Sequence, residues 1–214
     1  MSNNGYVEAT HREQEVYDRK SRIYDLMDLP MKAMGMGRLR RRMWEQVQGR
    51  RVLEVGVGTG LNLEYYPAES RAVAVDLSPG MLGRAVRRAG RLGRQVDFVL
   101  ADAQRLPFRD GSFDAVTATC VFCSVPDPVE GLRELRRVCQ PDGNTLLLEH
   151  GRAKNRLLGK VMDWLNPLSV RFQGVNINRD TVGNVRRAGL AIESEDAFMM
   201  SIVRILRARP GHSA

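Results

Sequence analysis

The stretch VLEVGVGTG, residues 52–60, decides the fold, because an apolar run of strand character passes directly into a glycine-rich turn. Gly56, Gly58 and Gly60 lack a Cβ, so the backbone can turn tightly here and a ligand can approach it closely. The spacing is G-x-G-x-G, and Leu61 stands where a dinucleotide-binding turn expects its third glycine or an alanine. The turn therefore predicts a ligand site at a strand end and argues against a nicotinamide cofactor.

Further runs of β-branched and apolar residues follow this strand, with segments of helical character between them. The alternation predicts an α/β fold with a doubly wound, mostly parallel sheet covered by helices on both faces. Two more strands after Gly189 bring the sheet to seven strands and close its edge as a hairpin. The predicted strands are Arg51–Val57, Arg71–Asp76, Val96–Ala101, Phe113–Thr119, Asn144–Glu149, Leu190–Glu195 and Ser201–Arg207.

Two of the predicted helices share a start signal. Ser78 is followed by Pro79, and Asp127 by Pro128, as expected of an N-cap residue and a proline in the first helical position. After the second helix, Pro141-Asp-Gly predicts a turn into the fifth strand.

The residues ahead of the first strand carry no strand pattern. From about Arg12 to Val47 they predict two helical stretches broken at Leu29-Pro30. We therefore divide the chain into an N-terminal helical lid, residues 1–48, and one α/β domain, residues 49–214.

Two acids stand at the ends of the next two strands. Asp76 at the second strand end can accept hydrogen bonds from both ribose hydroxyls of a nucleoside, and Asp102 after the third can accept from an adenine amino group. Taken singly, each acid could also be a helix cap or a surface charge. Together with the glycine turn, they predict a nucleoside site shared by three strand ends.

In combination these pieces resemble the motifs of class I S-adenosylmethionine-dependent methyltransferases, and Gly111-Ser-Phe-Asp-Ala-Val resembles the start of their fourth strand. The resemblance covers roughly residues 50 to 150. It implies S-adenosylmethionine as cofactor and S-adenosylhomocysteine as product. With Gly60 of the turn, the cofactor-binding residues it implies are Glu54, Gly56, Gly58, Asp76, Leu77, Asp102, Ala103 and Thr119 or Cys120.

Methyl transfer is an in-line displacement, so the enzyme must align a nucleophile and exclude water. His150 follows the fifth strand, where open sheets face the ligand crevice, and we predict that it takes a proton from the acceptor. The alternative is a structural histidine bonded to the next loop. Tyr17-Asp18 and Tyr24-Asp25 are seven residues apart, so on a continuous helix the two tyrosines would share a face that closes over the cofactor, or would only pack there.

A narrower pattern concerns the acceptor. Y-D-x5-Y-D, LEVGVGTGLN, ATCVFCSVPDP and LLLEH resemble the bacterial phospholipid N-methyltransferases within the quinone C-methyltransferase superfamily, and animal thiol methyltransferases share the C-S-V and E-H features. Quinone enzymes usually carry F-G-x-R-N and E-F where this chain has Val121-Phe-Cys-Ser124 and Glu149-His150. The resemblance implies phosphatidylethanolamine as acceptor, with a small thiol or a quinone precursor as the alternative.

Between Asn155 and Phe172, apolar residues that include the stripe from Leu157 to Leu168 alternate with Arg156, Lys160 and Arg171. The pattern predicts an interfacial helix and acceptor lid, although a helix covering a sheet edge has the same pattern. Beyond the stripe, Arg171, Asn178 and Arg179 are candidates for binding a lipid phosphate, or solvated polar residues.

The net charge of +8 favours anionic partners. Basic residues concentrate between Lys32 and Arg51 and again between Arg84 and Arg94, which predicts an anionic membrane surface as partner or a solvated arginine-rich face. We expect a monomeric, cytoplasmic protein at the inner face of the membrane, since the start of the sequence has no features of a secretion signal and no run is long enough to span a bilayer.

Other classes are less favoured. Cys120, Cys123 and Cys139 lack the spacing of a zinc site or a disulfide framework, so no metal is expected, and Cys120-x-x-Cys123 is interpreted as strand end and loop. Cys120 to Pro126 lacks the N-P-P-Y type motif of base methylation, which argues against nucleic acid. A non-catalytic adenosyl-binding module would be expected to lose cofactor residues that are present here.

Overall fold

One sheet of seven strands organises residues 3–27 and 29–211, which are the residues that this computed structural model describes. The strands lie in the order β3-β2-β1-β4-β5-β7-β6, with β1 to β5 parallel and β7 antiparallel to both of its neighbours. The predicted doubly wound, mostly parallel sheet is confirmed. Its strands are β1 (Arg51–Val55), β2 (Arg71–Asp76), β3 (Val96–Leu100), β4 (Phe113–Thr119), β5 (Cys139–His150), β6 (Leu190–Phe198) and β7 (Val203–Pro210).

Helices cover both faces of the sheet. Successive residues of β1 alternate between them, so that Leu53 joins the core under α6 and α8 while Val52 joins the core under α4. The helices are α1 (Asn3–Lys20), α2 (Tyr24–Met27), α3 (Leu29–Ala33), α4 (Met36–Trp44), α5 (Pro79–Leu92), α6 (Pro128–Val138), α7 (Arg156–Gln173) and α8 (Thr181–Arg187). None of them, over the residues described, is long and apolar enough to cross a bilayer.

Both predicted helix starts are confirmed. The Ser78 hydroxyl accepts a hydrogen bond from the Met81 N–H at the start of α5, and the Asp127 carboxylate accepts from the N–H groups of Val129 and Glu130 at the start of α6. Each cap satisfies backbone donors that lack a partner in the first helical turn.

The fifth strand differs from its prediction. It begins at Cys139, and its pairing with β4 shifts register between Phe113–Cys139 and Ala115–Asn144, so Pro141-Asp-Gly forms a bulge inside the strand and not a turn before it. A Cβ on Gly143 would lie 2.7 Å from the carbonyl oxygen of Asp114. The glycine therefore permits the close approach of the two strands.

The closing hairpin is confirmed, with longer strands than predicted. β6 and β7 are joined by Met199, Met200 and Ser201, which all have positive φ values, from 49° to 66°. A left-handed backbone at three successive residues reverses the chain, so β7 returns between β6 and β5.

The N-terminal segment is helical, as predicted, and over residues 3–27 and 29–44 the structure describes helices α1 to α4, with an interruption at residues 21–23 that was not predicted. A turn over residues 21–23 separates α1 from α2, and α3 begins at Leu29 with Pro30 in its first turn, where its missing N–H costs nothing. Met36 and Trp44 of α4 are buried in the core, so the end of the predicted lid belongs to the folded body.

Candidate active site

A cavity lies at the carboxyl ends of β1, β2 and β4 and above the segment that follows β3. This is the point where strand order reverses, and open parallel sheets place their ligands there. We call this cavity the cofactor cavity; the predicted residues that line it are Gly56, Gly58, Asp76, Leu77, Asp102, Ala103, Thr119 and Cys120.

The three glycines of the turn have different roles. All have positive φ, at 70° for Gly56, 56° for Gly58 and 81° for Gly60. A Cβ on Gly56 would lie 2.3 Å from the Val121 side chain, and one on Gly60 would press on Leu63, whereas one on Gly58 would meet no atom within 4 Å. Gly58 therefore faces open cavity, and Gly60, which does not line the cavity, serves the packing of the turn.

Asp76 lines the cofactor cavity and holds two neighbouring backbone segments together. Its carboxylate accepts hydrogen bonds from the N–H of Gly58 at 2.8 Å and of Ser78 at 2.9 Å, which ties the glycine turn to the start of α5. Burial raises the pKa of Asp76 to about 6, although the two backbone N–H groups oppose the shift by stabilising the ionised form.

One face of α1 covers this cavity. Tyr6, Thr10, Glu13 and Tyr17 follow at intervals of four, three and four residues, which places them on one side of the helix. The hydroxyls of Tyr6 and Thr10 donate to the Asp102 carboxylate at 2.6 and 3.3 Å, and Glu13 and Tyr17 line the cavity. Burial raises the pKa of Glu13 to about 7.

In the two Tyr-Asp pairs, the tyrosines and the aspartates make different contacts. Tyr17 and Tyr24 line the cavity, although the helix between them is interrupted. Asp18 accepts hydrogen bonds from the Ser78 hydroxyl and the Gly80 N–H at the start of α5. Asp25 accepts from the Thr59 hydroxyl at 2.5 Å and the Arg88 guanidinium at 2.6 Å. The tyrosines thus face the ligand space while the aspartates fasten the lid to the cofactor loops.

Glu54 lies off the cavity wall, in contrast to the role that the resemblance implied for it. Its buried carboxylate accepts hydrogen bonds from the Tyr66 hydroxyl and the Asn62 amide, and burial raises its pKa to about 7. Asn62 also donates to Thr119 at 3.0 Å and accepts from Arg40 at 2.9 Å. Glu54 therefore anchors a buried polar network beneath the site and does not contact the cavity.

A second cavity adjoins the first, and we call it the acceptor cavity. Tyr17, Tyr24 and Cys120 line both. The lining of the acceptor cavity continues with Lys20, Met31, Arg40, Cys123, His150, Val175 and Ile177. A group held there therefore reaches the cofactor cavity past two tyrosines and a thiol.

The structure places His150 as predicted, in the acceptor cavity at the end of β5. Burial lowers the pKa of its imidazole below the ordinary value, which favours the neutral ring, the form that has a nitrogen able to accept a proton. The neighbouring Glu149 is buried and accepts from the N–H groups of Val121 and Phe122 at 2.8 and 3.2 Å. It thereby holds the loop that carries Cys123.

The loop after α7 supplies the apolar wall of the acceptor cavity. Asn166 of α7 accepts from the Ile177 N–H at 2.9 Å, and the Asn176 N–H donates to the Cys123 carbonyl at 2.9 Å. These bonds fasten the loop both to α7 and to the loop after β4, and so hold Val175 and Ile177 at the cavity.

The residues predicted to bind a lipid phosphate lie elsewhere. Arg171 is exposed on α7, the Asn178 amide donates to Asp163 at 3.0 Å, and the Arg179 guanidinium donates to the Val125 carbonyl at 2.9 Å. The structure does not place them in the lining of the acceptor cavity.

Sequence reasoning missed Glu13, Lys20 and Arg40. The first two were within its reach, because Glu13 lies four residues before Tyr17 and Lys20 three after it, on the same helical face. Arg40 had no such signal, since it stands in a run of three arginines. It is 8% exposed, whereas Arg41 and Arg42 are exposed.

The two cavities differ in charge. Among the side chains described, the charged ones that line the cofactor cavity are Glu13, Asp76 and Asp102, and those that line the acceptor cavity are Lys20 and Arg40. S-adenosylmethionine carries a sulfonium and an ammonium group, which an acidic wall favours, and its sugar hydroxyls can donate to carboxylates. With the open space at Gly58, the cofactor cavity fits this cofactor.

Comparison with known proteins agrees. The family model for a methyltransferase domain matches residues 53–147. The chain is 30% identical over 192 residues to a ubiquinone/menaquinone biosynthesis C-methyltransferase of Hahella chejuensis, spanning 83% of this chain and 77% of that protein. It is 37% identical over 105 residues to a phosphatidylethanolamine N-methyltransferase of Cereibacter sphaeroides, spanning 48% of this chain and 52% of that protein.

Among solved structures, a methyltransferase of Thermotoga maritima described as S-adenosylmethionine-dependent superposes with a TM-score of 0.70 over 92% of this chain and 99% of that one. At 19% identity, this likeness supports the fold alone. The sequence relatives and the cavity together identify the cofactor as S-adenosylmethionine, and the chain belongs to the class I S-adenosylmethionine-dependent methyltransferases, in the group that includes the ubiquinone/menaquinone C-methyltransferases.

Proposed function

We propose that this enzyme methylates the amine of phosphatidylethanolamine at the surface of a membrane. The observation that carries the proposal is the acceptor cavity, which combines a neutral imidazole, two cations and an apolar wall beside the cofactor cavity. A zwitterionic lipid head group on acyl chains presents the matching groups, namely an amine, a phosphate and hydrocarbon.

Within this proposal His150 receives a proton from the acceptor amine at an imidazole ring nitrogen. S-adenosylmethionine, when bound, supplies a methyl group on a positively charged sulfur. The amine attacks only in its neutral form, so a base that is itself neutral at pH 7 is needed beside it. Tyr17 and Tyr24, shared by the two cavities, would bound the amine and exclude water from the gap between them.

A membrane surface is supported by α7. Leu157, Val161, Trp164 and Leu168 follow at intervals of four, three and four residues and are all exposed, Trp164 to 80% and Leu157 to 75%. An apolar stripe on the solvent side of an amphipathic helix is typical of interfacial binding. The helix leads, through Gly174, into the loop that lines the acceptor cavity. We place the enzyme in the cytoplasm as a monomer bound peripherally to the inner membrane face.

The basic segments contribute less to that surface than their composition suggests. Arg42 pairs with Asp196, Arg51 with Asp114, and Arg88 with Asp25 of the lid. Arg84 donates to the carbonyl of Ser21 just after α1. Several cations thus serve the fold, and the membrane attraction that we propose rests on the exposed remainder together with α7.

A quinone precursor is the second candidate acceptor. The relative from Hahella chejuensis, whose match spans 83% of this chain, is named as a quinone C-methyltransferase. The two cations of the acceptor cavity also suit a phenolate. A small thiol is the remaining alternative.

The test is methyl transfer from labelled S-adenosylmethionine to vesicles of phosphatidylethanolamine and phosphatidylglycerol at low ionic strength. We expect mono- and dimethylated lipid, protein sedimenting with the vesicles, and release at high salt. His150→Ala should lower turnover by about 10² to 10⁴ with unchanged affinity for S-adenosylhomocysteine.

His11→Ala, which removes an exposed histidine of α1, is the matched control and should keep full turnover. If phosphatidylethanolamine gives no product while a quinol or a thiol does, the lipid assignment is wrong.

A further inference from the structure

The acceptor cavity is lined by two cations that come from different helices. Lys20 is the last residue of α1, and Arg40 lies in α4. Among the described residues that line this cavity, none is an aspartate or a glutamate. A pair of cations facing a partly apolar cavity creates a positive potential that attracts an anionic group of a ligand.

The side chain of Arg40 is held in place by a hydrogen bond to Asn62. One guanidinium nitrogen donates to the Asn62 side chain at 2.9 Å, and Asn62 in turn donates to Glu54 and Thr119. The network therefore fixes the orientation of the guanidinium beneath the cavity. A planar guanidinium carries five N–H donors in a fixed fork, which suits the oxygens of a phosphate.

Lys20 stands at a defined distance from the reacting end. It follows Tyr17 by three residues on α1, and its ammonium nitrogen lies 6.0 Å from the centre of the Tyr17 ring. Tyr17 borders both cavities, whereas Lys20 borders only the acceptor cavity. An anion at Lys20 would leave room for a two-carbon spacer between it and an amine beside Tyr17.

We propose that Lys20 and Arg40 form an anion subsite that binds the phosphodiester of the acceptor lipid and so places its amine between His150 and the cofactor cavity. The inference rests on the proposed function, and it replaces Arg171, Asn178 and Arg179 as the phosphate-binding residues. The shared chemistry is a phosphate ester, so the test must separate phosphate binding from methylation.

The binding experiment uses the full chain loaded with S-adenosylhomocysteine and short-chain dihexanoyl phosphatidylglycerol, which has the phosphodiester but no amine. Calorimetric titration of the wild type should give saturable binding, and Lys20→Met should weaken it at least tenfold. Lys154→Met is the matched control, because Lys154 is 65% exposed and paired with Glu195 at 3.1 Å, away from the cavity lining. Arg40→Lys, which keeps the charge but not the fork, should weaken binding severalfold and serves if larger changes at this buried site impair folding.

The kinetic experiment compares phosphatidylethanolamine with an aminoethyl ether lipid that lacks the phosphate. Lys20→Met should raise KM at least tenfold for the first while kcat falls less, and should leave the second, already poor, substrate unchanged. The subsite would be overturned if Lys20→Met raised KM equally for both lipids. It would also be overturned if dihexanoyl phosphatidylglycerol did not bind the wild type, or bound the wild type and Lys20→Met equally. If the binding result holds but phosphatidylethanolamine is not methylated, the subsite stands and the proposed function fails.

Discussion

The cofactor cavity and the acceptor cavity share Tyr17, Tyr24 and Cys120, yet they are built with opposite charge. The first is walled by acids on the strand ends and on α1, and the second by cations on α1 and α4. S-adenosylmethionine has one more positive charge than S-adenosylhomocysteine. An acidic cofactor wall therefore favours substrate over product, while a basic acceptor wall favours a ligand with an anionic group.

The N-terminal helix α1 contributes to both cavities. Glu13 of α1 belongs to one cavity and Lys20 of the same helix to the other, so a single element contributes opposite charges on either side of the shared tyrosines. Asp18 of α1 and Asp25 of α2 fasten these two helices to the loops around Ser78 and Thr59. Deleting residues 1–33 should therefore remove a charged side chain from each cavity at once, Glu13 from the first and Lys20 from the second.

The largest effect is expected from deleting the lid. A chain that begins at Met34 loses Glu13, Tyr17, Lys20 and Tyr24 but keeps the buried Met36. Turnover should fall by at least about a thousandfold, because positioning and water exclusion are both lost. Circular dichroism should still report a folded α/β domain. Retention of full turnover by this truncated chain would show that the lid does not form the active site.

A smaller effect is expected from a substitution in the glycine turn, which should change ligand affinity in the cofactor cavity only. Gly58 and Gly93 have φ values of 56° and 65°, and a Cβ on either would meet no atom within 4 Å. Alanine at each position should therefore cost a similar ~1–2 kcal/mol of backbone strain. Gly58→Ala should also weaken S-adenosylhomocysteine binding about tenfold or more, because the new methyl group enters ligand space.

Gly93→Ala, at the far end of α5, is the matched control for this change. The two variants should have similar melting temperatures, and calorimetry should find a loss of affinity in Gly58→Ala alone. Equal affinities in both would place the cofactor elsewhere.

The smallest effect tests the charge of the cofactor wall. The pKa of Glu13 is about 7, so its carboxyl is mostly neutral at pH 6 and mostly ionised at pH 8. The preference for S-adenosylmethionine over S-adenosylhomocysteine should therefore rise with pH across this interval, by about fivefold, equivalent to ~1 kcal/mol. The rise should be smaller in Glu13→Gln, where the remaining pH dependence comes from Asp76, whose pKa is about 6.

Glu15→Gln changes an exposed carboxylate on the same helix and should keep the pH dependence of the wild type. The readout is the ratio of the two dissociation constants, which cancels any general change in the cavity. A ratio that stays flat from pH 6 to pH 8 in the wild type would mean that Glu13 does not face the cofactor charge.

The sequence alone determined the parts of the molecule that depend on neighbouring residues. The strand that ends in VLEVGVGTG, the caps at Ser78 and Asp127, and the acids at the ends of β2 and β3 are local patterns of hydrophobicity and backbone preference. Parallel strands bring their carboxyl ends to one edge, so these patterns sufficed to predict that the glycine turn, Asp76 and Asp102 meet at one cavity.

Only the tertiary structure decided which polar side chains turn inward. Arg40 and Arg41 are neighbours of the same type, yet Arg40 enters the acceptor cavity because Asn62, 22 residues away, accepts its hydrogen bond. Glu54 similarly turns from the expected ligand contact to Tyr66 and Asn62. A buried charge is oriented by whichever partners the packed chain brings beside it, and no pattern of neighbouring residues specifies them.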